Sequence, residues 1–232
     1  MRITRKAFVA LGAVAALGIG AAFATGVGRS ADSSPQPSPG DAYATEVAHQ
    51  RAQLTPDRQA PFLARFNLGA KDASSLPVVV FDTMAWIGPL DSACLQARAS
   101  AVGTLRVTNV SYTTSAMGDL PETDVTYAVV QGARGLTAGQ QIVARGVGGP
   151  YLELNGKEEF VLLQYSYEQQ VGDRVVAFLS KNPDGTFVPP CPGWSTFKLN
   201  ADGTVADQPG ATEAGVAGKA ASAVLSSYAA AN

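Results

Sequence analysis

From Pro77 to Lys181 the chain alternates apolar and polar residues or gathers short β-branched runs, and turn formers separate the runs. That period belongs to strands, because successive side chains of a strand face opposite sides of a sheet. "PVVVFD" (77–82) is a short apolar strand, and "ASAVGTLRVTNVSYT" (99–113) predicts a longer curved one with a bulge near Gly103. "TDVTYAVVQG" (123–132) places Val125, Tyr127 and Val129 on one side; "QQIVARGVGG" (140–149), "EFVLLQYSYE" (159–168) and "DRVVAFLSK" (173–181) continue the series. Two near-copies of one turn, "NPDGTF" (182–187) and "NADGTV" (200–205), read as hairpin connections, since Asp-Gly permits positive φ. The pattern predicts one curved antiparallel sheet over about 99–206, with Leu105, Val107, Val129, Val176 and Phe178 packed inside. The fold class expected is mainly β, a small curved antiparallel barrel with short terminal helices.

Helical patterning is confined to the ends. "DAYATEVAHQRAQL" (41–54) has Asp41 as an N-cap and a thin stripe of Tyr43, Val47 and Leu54, with Thr55-Pro56 as its stop. Ahead of it, "RSADSSPQPSPG" (29–40) is too rich in Ser and Pro to bury a core and reads as a linker. In the alanine-rich tail, Val216, Ala220, Val224 and Tyr228 recur every four residues, the mark of a terminal helix. The organisation expected is therefore 1–28 signal peptide or membrane anchor, 29–75 linker with a short helix, 76–209 β-barrel domain, and 210–232 tail.

The first segment bears on location. Arg2, Arg5 and Lys6 precede an uncharged run from Ala7 to Gly28, and Ala22 and Ala24 supply small residues for cleavage after Ala24. The run also meets the length of about 20 apolar residues that a membrane span needs. It predicts either a cleaved export signal or a retained anchor, so the protein is expected to be secreted or held outside the cytoplasm, touching a membrane only through 7–28. Removing 1–24 takes away three cations and no acid, turning a formal charge of −2 into −5. With no basic patch, nucleic acid is not an expected partner.

Candidate chemistry is sparse. Cys94 and Cys191 lie 97 positions apart, and the single histidine, His49, sits in the N-terminal helix. Zinc asks for about four clustered ligands, and a thiol nucleophile asks for a base, so neither chemistry is supported. Two cysteines in an exported chain instead predict a Cys94–Cys191 disulfide, worth about 4 to 5 kcal/mol in the chain-entropy view. Asn200, Asp202 and Gly203 hold part of a calcium-loop pattern without its closing glutamate, which favours a plain hairpin. Asp119, Glu122 and Asp124 read as a solvated loop, and "GVGGPY" (146–151) lacks the lysine of a phosphate loop. Trp86, Trp194, Tyr165, Tyr167 and Phe178 read as core aromatics. No cofactor and no metal are expected.

The run "GTLRVTNV", "VTYAVVQGARG", "IVARGVGG", "VGDRVVAFL" and "GWSTFKLNADGTV", across 103–205, resembles a recurring exported bacterial β-barrel domain. Its order and turn chemistry are similar to the OB-like fold used by tissue-inhibitor-of-metalloproteinase and netrin-like modules. The resemblance covers under half the chain and implies the fold and a binding role. The cysteine framework of those inhibitors, including a cysteine at the mature amino terminus, is missing, and no site residues carry over. The function expected is a secreted or surface-tethered, non-catalytic module that binds a protein or a cell-envelope component. The alternatives are an extracellular hydrolase with a Ser/Lys or carboxylate-pair site, and a structural envelope protein.

Overall fold

A computed structural model describes residues 4–5, 56–81, 92–115, 120–153, 155–163, 166–191 and 195–229. In chain order these form β1 (Thr4–Arg5), α1 (Pro56–Asn67), β2 (Val78–Phe81), α2 (Ser92–Arg98), β3 (Ala101–Thr114), β4 (Pro121–Arg134) and β5 (Gln141–Val147). They continue as β6 (Gly149–Leu152), β7 (Glu158–Leu163), β8 (Arg174–Lys181), β9 (Phe187–Val188), β10 (Thr196–Lys198), α3 (Pro209–Glu213) and α4 (Ala221–Ala229). The fold is mainly β, as the patterning predicts, and its strands divide between two sheets.

Six strands run in the order β10-β8-β3-β4-β5-β9, and β9 pairs again with β8, so the sheet returns on itself as a ring. Every pairing is antiparallel except β5 with β9, which meet parallel at Ala144 and Phe187. The smaller sheet has the order β1-β2-β7-β6, with β2 parallel to both its neighbours. Thus 99–206 is not one sheet: β6 and β7 leave the ring. The chain changes sheets at Gly148 and Gly149, whose φ values of 127° and 129° are open only to glycine. One strand through 140–149 is therefore two, and "GVGGPY" is the crossing. The bulge expected near Gly103 is present, where the β3–β4 register slips between Val102 and Gly103. Gly103 faces Gly132 there, and a Cβ on Gly132 would sit 2.0 Å from the Leu136 carbonyl oxygen.

Three apolar clusters hold these layers together. The first draws on the five strands that close the ring, β3, β4, β5, β9 and β8, with Leu105, Val107, Tyr127, Val129, Ile142, Val175, Leu179 and Phe187, and so occupies the ring's inner face. The second lies on the opposite face of β3 and β8, where Val102, Val176 and Phe178 meet Leu95, Phe197, Val205, Val224, Leu225 and Tyr228. Val176 and Phe178 are buried as expected but not with Leu105, Val107 and Val129. The register sets Leu105 opposite Val175 and Thr104 opposite Val176, so the two sets point opposite ways. "VVAFL" (175–179) in β8 is apolar throughout because it is covered on both faces.

The cover over the outer face comes from the tail. α3 and α4 are separate helices, because Gly215 and Gly218 at φ 66° and 72° end the first and reverse the chain. Val216, expected in a single helix, sits in that reversal and is buried there. Tyr228 packs edge-on to Phe178 at 4.5 Å, so the tail docks on the ring.

The third cluster seats α1 on the smaller sheet through Phe62, Leu63, Phe66, Leu76 and Phe160. α1 begins at Pro56, immediately after the stop expected for the helix over 41–54. Proline suits a first turn, which has no carbonyl to receive its missing N–H. A second proline, Pro61, lies inside the helix, and the packed aromatic stripe overrides the propensity cost. The expected helix at 41–54 and the run 7–28 fall outside the described residues. No helix among the described residues is long and apolar enough to cross a membrane.

Candidate functional site at the mouth of the ring

A cavity of about 450 Å3 lies where the ring's inner face meets the smaller sheet. β4 contributes Thr123, Val125 and Tyr127, and β5 contributes Ala144, Arg145 and Val147. Val161 and Leu163 come from β7, Leu179 from β8, and Asn182, Val188 and Pro189 from the chain around β9. The segment after β7 closes one side with Ser166, Tyr167, Glu168 and Gln169.

That segment is held by backbone geometry. The Ser166 N–H and Oγ both donate to the Leu163 carbonyl, at 3.0 and 2.7 Å. A turn at 170–173 then docks on β3, where Gly172 N–H donates to the Val107 carbonyl and Val107 N–H donates to Asp173, each at 2.9 Å. The glycine-acid pair in "VGDRVV" makes this turn, with Gly172 at φ 96°. The strand expected over 159–168 therefore stops at Leu163, and Tyr167 and Glu168 are freed to face the ring.

The polar groups of the cavity are few. Tyr127 is fully buried, and its hydroxyl donates to Gln169 Oε1 at 2.6 Å; burial drives that phenol's pKa well above its ordinary value. Thr123 Oγ1 donates to the Gly148 carbonyl at 2.8 Å. Tyr167 is half-buried as a residue, yet its hydroxyl is enclosed and finds no protein partner. Burial first, then Tyr127 and Asp173, push the Tyr167 phenol far up. Lys198 Nζ stands 5.9 Å from the Tyr167 ring centre and pairs with Asp173 at 2.7 Å. The Glu168 carboxyl is raised as well, by burial and then by Asp72.

Charge at the rim is internally matched. Asp124 and Arg145 face each other across β4 and β5, and the guanidinium donates to both carboxylate oxygens at 2.7 and 2.8 Å. Glu122 approaches the same guanidinium at 3.7 Å. The Asp124 bond, more than any other influence, raises Arg145 above its ordinary pKa. Glu122 and Asp124, expected in a solvated loop, are thus strand residues engaged by a cation; Asp119 lies outside the described residues.

The remaining sequence candidates resolve variously. Asp202 accepts from Thr204 N–H and Oγ1 at 2.9 and 2.7 Å, and Asn200 N–H donates to the Thr204 carbonyl at 2.8 Å. The same bonds recur at Asp184, Thr186 and Asn182, so both motifs are one hairpin turn closed by a left-handed glycine. Cys191 is buried at 1% exposure in the cluster that contains Leu95, the neighbour of Cys94. The Cys94 side chain, His49, Trp86, Tyr165 and Trp194 lie outside the described residues. Among the described residues, no three His, Cys, Asp or Glu side chains converge in a way that could hold a metal ion.

Sequence alternation signalled Tyr127 as inward-facing. It placed Tyr167 in a strand over 159–168 and among the core aromatics, whereas Tyr167 stands in the irregular segment after Leu163, and it gave no signal for Gln169. No family model matches the chain, and no curated protein matches it.

Proposed function

We propose that this chain is an exported or surface-tethered, non-catalytic binding module, and that its ring is a small OB-like barrel holding a protein or cell-envelope component at its mouth. The ring order supports the fold reading. Numbered from β3, its strands run 1-2-3-5-4 and back to 1 with a parallel third-to-fifth contact, the OB arrangement. Folds of this type bind on the face of strands two and three and through the loops joining strands one to two and four to five. The observation that carries the reading is the position of the cavity: it opens on β4 and β5 beside Asn182, the first residue of the four-to-five turn.

The basic terminus and the run 7–28 support export, and a Cys94–Cys191 bridge suits that compartment. Cleavage after Ala24 would remove β1 and leave β2 as the edge of the smaller sheet.

Affinity capture tests the proposal. Immobilised protein is expected to retain a component of the cell-envelope or culture fraction, and Val147→Asp, at an exposed rim position, is expected to release it. Equal retention by the variant would refute the mouth as the site. Turnover of an ester, peptide or glycoside that one substitution abolishes would refute a non-catalytic role.

A further inference from the structure

We propose that the cavity receives the apolar body of a small organic cation, and that the Glu168 carboxylate holds the cation's protonated amine. This rests on the binding-module reading and names the chemistry of what enters the mouth.

The walls set the body of the ligand. Val125, Ala144, Val161, Leu163 and Leu179 are aliphatic, and at about 450 Å3 the space falls within the usual range for small-molecule pockets. The cavity also has a second neighbour. Val110, Tyr112, Glu168 and Gln169 line it and at the same time line a more open groove of about 440 Å3, which Phe66 and Val171 help to complete. Glu168 therefore stands where the apolar space meets a wetter one.

Glu168 is the charge that the fold leaves over. The other charged side chains of the two linings are engaged: Arg145 by both oxygens of Asp124, Glu122 by Arg145, Lys71 by Glu158, and Asp72 by the Ser74 N–H. Among the described residues, none donates a hydrogen bond to Glu168 or pairs with it as an ion. Unlike the Tyr167 hydroxyl, its oxygens are not sealed off; the residue is only half-buried, and a ligand atom can reach them. Burial, and after it Asp72, raises the Glu168 carboxyl, the mark of a charge short of water and of a counter-ion. Burial pushes the Tyr112 phenol up to about 12, and Glu168 and Asp72 add to the rise, so this end of the space is negative.

The sign of the ligand follows. An anion would meet Glu168 and Asp72 with no free cation in either lining, which is costly in a partly apolar space. A neutral donor returns one hydrogen bond but leaves the carboxylate's charge uncompensated while removing more of its water. An ammonium compensates that charge, and beside the open groove it keeps part of its own hydration, so its desolvation cost stays small.

The test uses purified full-length protein and three matched probes, naphthylmethylamine, naphthylmethanol and naphthylacetate, with binding followed by probe fluorescence. The amine is expected to bind about tenfold more tightly than the alcohol, between what an exposed ion pair and a buried charged hydrogen bond provide. Naphthylacetate is expected to bind weakest. Glu168→Gln keeps the size and removes the charge, so it should bring the amine down to the level of the alcohol. Binding of the alcohol should change little, which also shows the cavity intact. A fourth probe, Nα-acetyl-lysinamide, carries the same ammonium without the aromatic body. It is expected to bind far more weakly than naphthylmethylamine, because it leaves the apolar walls uncovered.

Four results would overturn the proposal. They are no binding of the amine, an amine preference that survives Glu168→Gln, binding of the alcohol or of naphthylacetate as tight as the amine's, and equal binding of Nα-acetyl-lysinamide. The order of the probes on the unmodified protein decides the matter even if the variant does not fold. The capture experiment is separate, since it scores an envelope component at the rim; either can fail while the other succeeds.

Discussion

Asn67 supplies both hydrogen-bonding partners of the Tyr112 backbone: its Nδ2 donates to the carbonyl at 2.9 Å and its Oδ1 accepts the N–H at 2.8 Å. The reason lies in β3, which β4 follows over its length but β8 pairs only as far as Arg106. Beyond that point β3 has an open edge, the kind of surface on which other strands add. The turn at 172–173 covers it at Val107, and Asn67 covers it at Tyr112. Gln59, two turns earlier in α1, does the same for Leu152 of β6, at 2.9 and 3.3 Å. A helix thus stands where a strand would, through two side-chain amides.

The two amides differ in burial, and that predicts different costs. Gln59 is 1% exposed, so Gln59→Ala leaves two backbone groups unpaired away from water, at about 1 to 3 kcal/mol. Asn67 is exposed, and water can replace it, so Asn67→Ala should cost under about 1 kcal/mol. Urea unfolding compares them. Equal losses would show that burial of the bracket is not what matters.

Phe178 is fully buried on the outer face of the ring, edge-on to Tyr228 at 4.5 Å and to Phe197 at 5.9 Å. Phe178→Ala should cost about 3 to 5 kcal/mol and loosen the tail, read as faster proteolysis after α3. Asp202→Ala, at an exposed turn, should cost much less and leave the tail docked. Equal, small losses for both would contradict the packing.

Much of the ring could be read from the chain because its inner-face strands alternate and its turns carry glycine where the backbone needs it. What escaped the reading has a common cause. β8 is covered on both faces, so "VVAFL" shows no alternation to say which side Phe178 takes. The sheet crossing at Gly148 looks like one strand because a change of sheet leaves no mark on hydrophobic period. α1 carries Pro61 in its interior, which speaks against it, and its contacts with residues distant in sequence, Phe160 among them, stabilise it. The site suffers most, since the strand read over 159–168 ends at Leu163 and Tyr167 stands in the irregular segment that follows.

The crossing itself makes a prediction. Gly149 sits at φ 129°, and a Cβ there would come within 2.9 Å of Thr123 Oγ1 and 3.1 Å of the Tyr112 ring. Gly156 also has positive φ, 86°, but a Cβ there would meet nothing within 4 Å. Both alanine variants carry backbone strain, on the order of 1 kcal/mol. Gly149→Ala adds a clash at the junction of the two sheets and should be clearly the less stable in thermal melting. Indistinguishable variants would mean that the crossing is not tightly packed.

Acid should weaken the turns. Asp184 and Asp202 are held below their ordinary value of 3.8, first by the side-chain bonds from Thr186 and Thr204 and then by the backbone N–H of the same residues. A carboxyl depressed in the folded state gives stability that is present above the unfolded value and lost as pH falls through the folded one. Glu168 has the opposite sign: raised by burial, it favours folding below 4.5 and loses that contribution as pH rises through its native value. Asp184→Asn with Asp202→Asn should therefore flatten the acid limb of a stability–pH curve as pH falls through and below the ordinary value of 3.8. Glu168→Gln should instead raise stability near neutral pH. An unchanged acid limb in the double variant would refute the turn contribution.

The thiols provide the last test. α2 carries Cys94 and is tied to β8 by Ser180 Oγ, which donates to the Arg98 carbonyl at 2.7 Å. Leu95, beside Cys94, is fully buried in the same cluster as Cys191. The chain thus brings Leu95 of α2 and Cys191 to one side of the ring, and the proposed bridge requires the two cysteine Cα atoms within about 7 Å. Oxidised protein, denatured without reductant, is expected to show no labelled thiol. Reduction should then lower the melting temperature, because the proposed bridge would close a long loop worth about 4 to 5 kcal/mol in the unfolded chain. Cys94→Ala and Cys191→Ala should then each reproduce the reduced protein's melting temperature within a degree or so of one another, since either removes the same bond. Two labelled thiols in exported, unreduced material would refute the bridge and leave Cys191 as a buried apolar side chain.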